Sequence, residues 1–167
     1  MTPPFDGERV WVAGHRGLVG SAIVRRLEEA GQTGIVTRTS AQLDLRDQRA
    51  VEEFVEAERP DRVFLAAALV GGLFENQRRP ADFIGHNLKI QTNVIDALAR
   101  HGVRKLVFLG SSCIYPRIPH RPIREDDLLS APLEPTNEAY AVAKIAGVKM
   151  CEFYRVQYGL DAVSVMP

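Results

Sequence analysis

The chain has 167 residues, 46% hydrophobic and 25% charged, and its 21 basic side chains balance 21 acidic ones to a formal net charge of zero. That balance argues against a nucleic-acid partner, which needs surplus cations to neutralise phosphates, and the apolar content argues against a disordered chain. The length fits one domain, able to bury roughly two-thirds of its surface. The opening residues Met1 to Glu8 carry neither the basic cap nor the apolar core of a signal peptide. Glu8 to Ala13 is a β-rich run stopped by Gly14. From Gly17 to Ala30, Leu18, Val19, Ala22, Ile23, Leu27 and Ala30 recur at helical spacing, and Gly31 closes the segment. Residues 34–37 read as a second strand, and Gln42 to Leu45 as a short third one.

A helix is expected from Asp47, a suitable N-cap, to Glu58, with Pro60 beyond its end. Residues 62–66 form a buried-type strand. The apolar run from Val63 to Phe74 is too short to span a bilayer, which takes about 20 residues. A long helix is expected over about 82–101, with Gly102 as its stop, and a strand over 105–109. Between Pro116 and Pro135 five prolines indicate a loop excursion. A helix over 137–157 and a strand over 162–166 follow. The β-α-β alternation predicts a Rossmann-type, doubly wound α/β domain with helices on both faces of a parallel sheet. Ligands then bind at the carboxyl ends of the strands. The chain stops directly after an apolar strand, at Pro167, which reads as an odd place for a natural terminus.

Gly14-His15-Arg16-Gly17-Leu18-Val19-Gly20 sits between the first strand and the first helix. Glycines at that spacing suit a tight turn, close approach of a diphosphate and close helix packing, while the helix N-terminus offers free N–H groups. The bland alternative is a turn with a small-residue contact. The strand–turn–helix context favours a dinucleotide. At the end of the second strand Arg38 stands where NAD-specific sites tend to carry an acid, and Arg16 lies in the glycine loop. Two arginines near a ribose suit a 2′-phosphate, so NADP(H) is expected rather than NAD; otherwise both are solvated surface charges. Asp44 either hydrogen-bonds an adenine amine or caps the turn that follows it.

Tyr140 and Lys144 are four apart on a helix and so share a face. A lysine ammonium beside a phenol lowers its pKa and makes it a usable acid or base. Leu109-Gly110-Ser111-Ser112-Cys113 ends a central strand. Ser111 there can donate to a substrate carbonyl, and Cys113 is either an acid–base thiol or a small packed side chain. Cys151 reads as packing. Two cysteines make no disulfide framework, so a reducing cytoplasmic setting is expected, and scattered His and Cys predict no metal site.

The glycine fingerprint, the serine-bearing strand end and Tyr-x-x-x-Lys together resemble the extended short-chain dehydrogenase/reductases of the NAD-dependent epimerase/dehydratase family. Within it, Ser111-Ser112-Cys113-Ile114-Tyr115-Pro116 and the segment Pro135 to Gly147 resemble the branch that epimerises and reduces 4-keto GDP-sugars. The resemblance implies NADPH as hydride donor, Tyr140 as proton donor, Lys144 on Tyr140 and the nicotinamide ribose, Ser111 on the carbonyl and Cys113 as epimerisation acid or base. It implies Leu109, Gly110, Ser111 and Ser112 beside the nicotinamide, a GDP-sugar substrate and a homodimer through the helices at 82–101 and 137–157. Ala139 stands where the family usually has proline. Family members are nearly twice this length, and their remaining part carries the sugar pocket and a histidine partner of the cysteine, which neither His101 nor His120 matches by spacing. These 167 residues are therefore expected to be the cofactor-binding half of such an enzyme. Rival readings are action on another nucleotide sugar, or a non-catalytic NADP(H)-binding module.

Overall fold

Five short strands rich in Val, Leu and Phe build a wholly parallel sheet, and the computed structural model describes residues 3–116 and 121–167 of the chain. The strands are β1 (Val10–Ala13), β2 (Ile35–Val36), β3 (Arg62–Leu65), β4 (Lys105–Leu109) and β5 (Asp161–Val165), in the order β2-β1-β3-β4-β5. Val10 is level with both Ile35 and Arg62, and Leu109 with Val165. Alternate residues of β1 serve the two faces. Val10 and Val12 pack with Ile23 and Leu27 of α1 (Leu18–Glu29). Trp11 and Ala13 join the larger core with Val51 and Val55 of α2 (Gln48–Glu58), and with α4 (Pro80–Arg100) and α5 (Glu138–Tyr158). Helices thus cover both faces, as the alternation predicted.

The helix signals act locally. The Asp47 carboxylate accepts from Ala50 N at 3.1 Å, and Arg59 ends α2 in the left-handed region, at φ +44°. Gly159 ends α5 at φ +72°. α5 sits close to both α4 and β4 because Gly147 has no side chain; a Cβ there would lie 2.7 Å from Gln91 Oε1 of α4 and 2.3 Å from Phe108 of β4. The Gln91 amide also bridges α4 and α5, donating to Ala143 O at 2.6 Å.

One expectation needs correction, and two short elements were not expected. Gln42 to Leu45 is not a strand: the N–H groups of Gln42 and Leu43 both turn back to Thr39 O, at 3.0 and 2.9 Å, which consumes the donors a ladder would need. A short helix, α3 (Leu73–Arg78), precedes α4, held by Asn76, whose amide donates to the carbonyls of Gly71 and Gly72. The proline-rich excursion contains a 3-10 turn at Glu125–Asp127, where the buried Asp127 carboxylate accepts from Arg121 and from Arg124 N. Residues 117–120 of that excursion, including His120, lie outside the described residues.

Candidate active site

β1 connects to β2 on one side, and the chain returns through α2 to β3 on the other. A crevice therefore opens between the carboxyl ends of β1 and β3. The glycine loop fills its floor. Gly14 turns at φ +86°, and a Cβ there would stand 2.6 Å from Ala67 N. A Cβ on Gly20 would stand 2.2 Å from Gly14 O, so that glycine lets α1 sit against the loop. Gly17 N donates to Gly14 O at 3.0 Å. Gly17 caps α1 without a side-chain hydrogen bond, and no acid lies in the first turn. The first N–H groups of α1 are left for an anion. Above the loop lies a cavity of about 710 Å³ that reaches across the sheet from the end of β2 to the end of β4. Gly14, His15, Arg16, Gly17, Leu18 and Val19 line it on one side and Ala66 to Val70 on the other. A backbone cradle that any side chain would fill, beside an uncapped helix end, fits the diphosphate of a dinucleotide.

At the β2 end the cavity wall is cationic. Arg16 is exposed and makes no ion pair among the described residues. Arg38 donates to Thr37 O at 2.8 Å and to Glu58 at 2.5 Å, and its guanidinium lies 5.3 Å from the centre of the Phe54 ring. Glu58 also pairs with Arg9, so the trio keeps one net positive charge. Asp44 lines the cavity but is engaged. Its carboxylate accepts from the Arg46 side chain at 2.7–3.2 Å and from Arg46 N at 2.9 Å. Those Arg46 hydrogen bonds hold its pKa at about 2. The turn-capping role is the one present in the structure.

The β4 end carries the acid–base groups. Leu109 and Gly110 line the cavity with Tyr140 and Lys144. Beyond Gly110 the Ser111 Oγ accepts from Cys113 N at 3.3 Å, closing a 3-10 turn at Ser112–Ile114 that turns the chain back toward α5. Ser111 and Cys113 are half-buried and Ser112 is exposed, and all three lie just past the cavity wall, which ends at Gly110. The expected lowering of the Tyr140 pKa by Lys144 is not found. Burial raises the phenol above its ordinary value near 10; the adjacent Ser111 hydroxyl works the other way, and the Cys113 thiol adds to the rise. Lys144 is 4% exposed, and its ammonium donates to Leu109 O at 2.7 Å, lying 5.9 Å from the Tyr140 ring centre. Desolvation brings its pKa down to about 8, so it is still largely protonated at neutral pH. Cys151 is buried behind the sheet, and burial pushes its thiol to about 11; it packs.

Several cavity residues escaped the sequence reading. His86 and Ile90 face it one helical turn apart on α4, a spacing visible in the sequence but identical to that of a core stripe. Trp11 and Leu43 contribute at the β2 end. His101 lies far from it at the end of α4, with Nε2 2.8 Å from Glu52.

Glycine cradle, cross-sheet cavity and Tyr–Lys helix define a class: the chain belongs to the NAD dependent epimerase/dehydratase family, which it matches over residues 10–167. Within the class it is similar to the probable GDP-L-fucose synthase 1 of Oryza sativa subsp. japonica, 63% identical over 162 residues, which are 96% of this chain and 49% of that protein. It is 56% identical over 160 residues to the GDP-L-fucose synthase of Escherichia coli, covering 96% of this chain and 50% of that one. The chain thus spans about half the length of the curated relatives it matches. Among solved structures, a GDP-mannoheptose C4 reductase from Campylobacter jejuni with NADP bound superposes at a TM-score of 0.91 with 40% identity, covering 95% of this chain and 50% of that one.

Proposed function

We propose that residues 1–167 are the NADP(H)-binding domain of a longer GDP-L-fucose synthase, which epimerises GDP-4-keto-6-deoxy-D-mannose at C3 and C5 and reduces it at C4. The observation that carries this reading is the placing of Tyr140 and Lys144 at the β4 end of a groove whose glycine floor fits a dinucleotide, with Ser111 and Cys113 in the turn that directly follows Gly110. When bound, NADPH supplies the hydride for the C4 ketone. Ser111 donates to the substrate carbonyl oxygen, and Tyr140 gives that oxygen its proton. Cys113 removes a proton from a carbon next to the carbonyl; inversion is complete when a proton returns from the opposite face. Lys144, braced on Leu109 O, holds the nicotinamide ribose hydroxyls. The α1 N-terminus and the glycine loop take the diphosphate, and Arg38 and Arg16 take the 2′-phosphate.

The outer face of α5 supports a homodimer, since Phe153 and Val156 are 60% and 82% exposed there. A cytoplasmic setting fits two unpaired cysteines, Cys113 and Cys151. No helix of the described residues is long and apolar enough to cross a membrane.

The direct test incubates the full-length protein with GDP-4-keto-6-deoxymannose and NADPH. Consumption of NADPH absorbance with GDP-L-fucose as product is expected. Turnover only of another nucleotide sugar would assign a different substrate within the family, and cofactor binding with no turnover of any would leave a binding module. Arg38→Ala should reduce the preference for NADPH over NADH about 10–100-fold, the worth of one charge-assisted hydrogen-bonding partner. Parallel titrations of the two cofactors check it; equal weakening of both would remove Arg38 from the 2′-phosphate.

A further inference from the structure

The wall of the groove opposite the glycine loop has little to hold it. β3 ends at Leu65, and Ala66 N still donates to Ala13 O at 2.9 Å. Beyond that point Ala67, Ala68 and Leu69 line the cavity with no strand on either side. Ala67 packs against the core, whereas Ala68 joins neither core cluster, and side chains this small let a ligand lie against the backbone. Side chains this small do little to fix the far end of the wall, at Ala68 and Leu69.

A single buried side chain fixes that end. Asn87, on α4 and 2% exposed, accepts from Leu69 N at 2.8 Å and donates back to Leu69 O at 3.0 Å. Its remaining amide hydrogen goes to Phe83 O, 2.8 Å away within its own helix. The amide thus pairs both backbone groups of Leu69, as a neighbouring strand would, and the Phe83 bond fixes its orientation. The wall is pinned at one end to β1 and at the other to α4.

We infer that Asn87 is a positioning residue for cofactor binding: it acts through Leu69 to hold the Ala66–Leu69 backbone where the dinucleotide rests. The inference depends on the proposed NADP(H)-binding function. Removing the clamp frees the wall and leaves the half-buried N–H and C=O of Leu69 without their partner, which costs affinity without touching any cofactor-facing group.

Calorimetric titration of the full-length protein with NADP⁺ tests it, using Asn87→Leu and Asn87→Asp. Asn87→Leu should bind at least about tenfold more weakly than wild type. A carboxylate at the same site accepts from Leu69 N but repels the carbonyl oxygens of Leu69 and Phe83, whereas its protonated form can donate to one of them. Asn87→Asp should therefore bind weakly at about pH 8 and recover toward wild type as the pH falls to about 5.5, because burial raises a carboxyl pKa into that range. General damage to the fold would not produce that recovery, and circular dichroism at each pH monitors the fold. If Asn87→Leu does not fold, the pH series of Asn87→Asp against wild type decides. Binding by both variants within about twofold of wild type at pH 8, or a loss in Asn87→Asp that is flat with pH, overturns the inference. Failure of wild type itself to bind NADP⁺ would instead overturn the functional reading, and the inference with it.

Discussion

Replacing Tyr140 with phenylalanine in the full-length enzyme is expected to slow ketone reduction about 10²–10⁴-fold, with NADPH affinity nearly unchanged. Only the phenolic O–H is lost, and the ring that helps line the cavity stays. Under the proposed mechanism that O–H is the proton source for the ketone oxygen, and burial keeps it protonated. Single-turnover loss of NADPH absorbance measures the step, and a Phe variant that reduces the keto-sugar at the parental rate removes Tyr140 from the mechanism. The pH profile gives a second readout. Burial keeps the Tyr140 phenol protonated above its ordinary range, while Lys144 titrates at about 8. A lysine whose pKa is lowered loses its charge as the pH rises through that value. An alkaline fall in activity near pH 8 should therefore follow Lys144, and it should persist in the residual activity of Tyr140→Phe.

Gly14→Ala should weaken NADPH binding about 100-fold or more. Two costs combine. The backbone at φ +86° lies where L side chains are strained, and the new Cβ would stand 2.6 Å from Ala67 N, a backbone atom with no freedom to swing aside. The loop or the wall must shift, and the diphosphate cradle lies between them. Gly7 is the matched control. It also has a positive φ, of +72°, but open space around its Cβ position, so Gly7→Ala carries strain without a clash and lies away from the groove. Equal binding by Gly14→Ala and wild type would show that the cradle tolerates a side chain.

Most elements were legible because their signals are local. Asp47 caps α2 and Gly102 follows the end of α4 at φ +65°, where the residue types demanded it, and the apolar run Lys105–Leu109 is β4 to the residue. The failures have a common physical cause. Gln42 to Leu45 has a strand-like pattern, but its N–H groups find Thr39 O closer than any strand, and a local turn won. α3 depends on Asn76 reaching back to two glycine carbonyls, a contact without periodicity. In the site, the one-turn spacing of Tyr140 and Lys144 correctly placed both in one pocket. It could not say which polar group the ammonium would meet, because Leu109 O arrives from a strand 35 residues away.

Spacing left Cys113 open between an acid–base thiol and packing, but by itself the sequence determined most of the elements in their order, the glycine cradle, and the shared helix face of Tyr140 and Lys144. Each of these follows from short-range spacing: period two, period 3.6, or glycine where the backbone needs a positive φ. Only the tertiary structure decided the electrostatics and the support of the site. Burial raises the Tyr140 phenol and lowers the Lys144 ammonium, opposite to what a simple ion-and-phenol pair predicts for the tyrosine. Arg46 takes the carboxylate of Asp44, and Asn87 holds the alanine wall. Desolvation and long-range hydrogen bonds depend on which segments pack together, and no local pattern of residues encodes that.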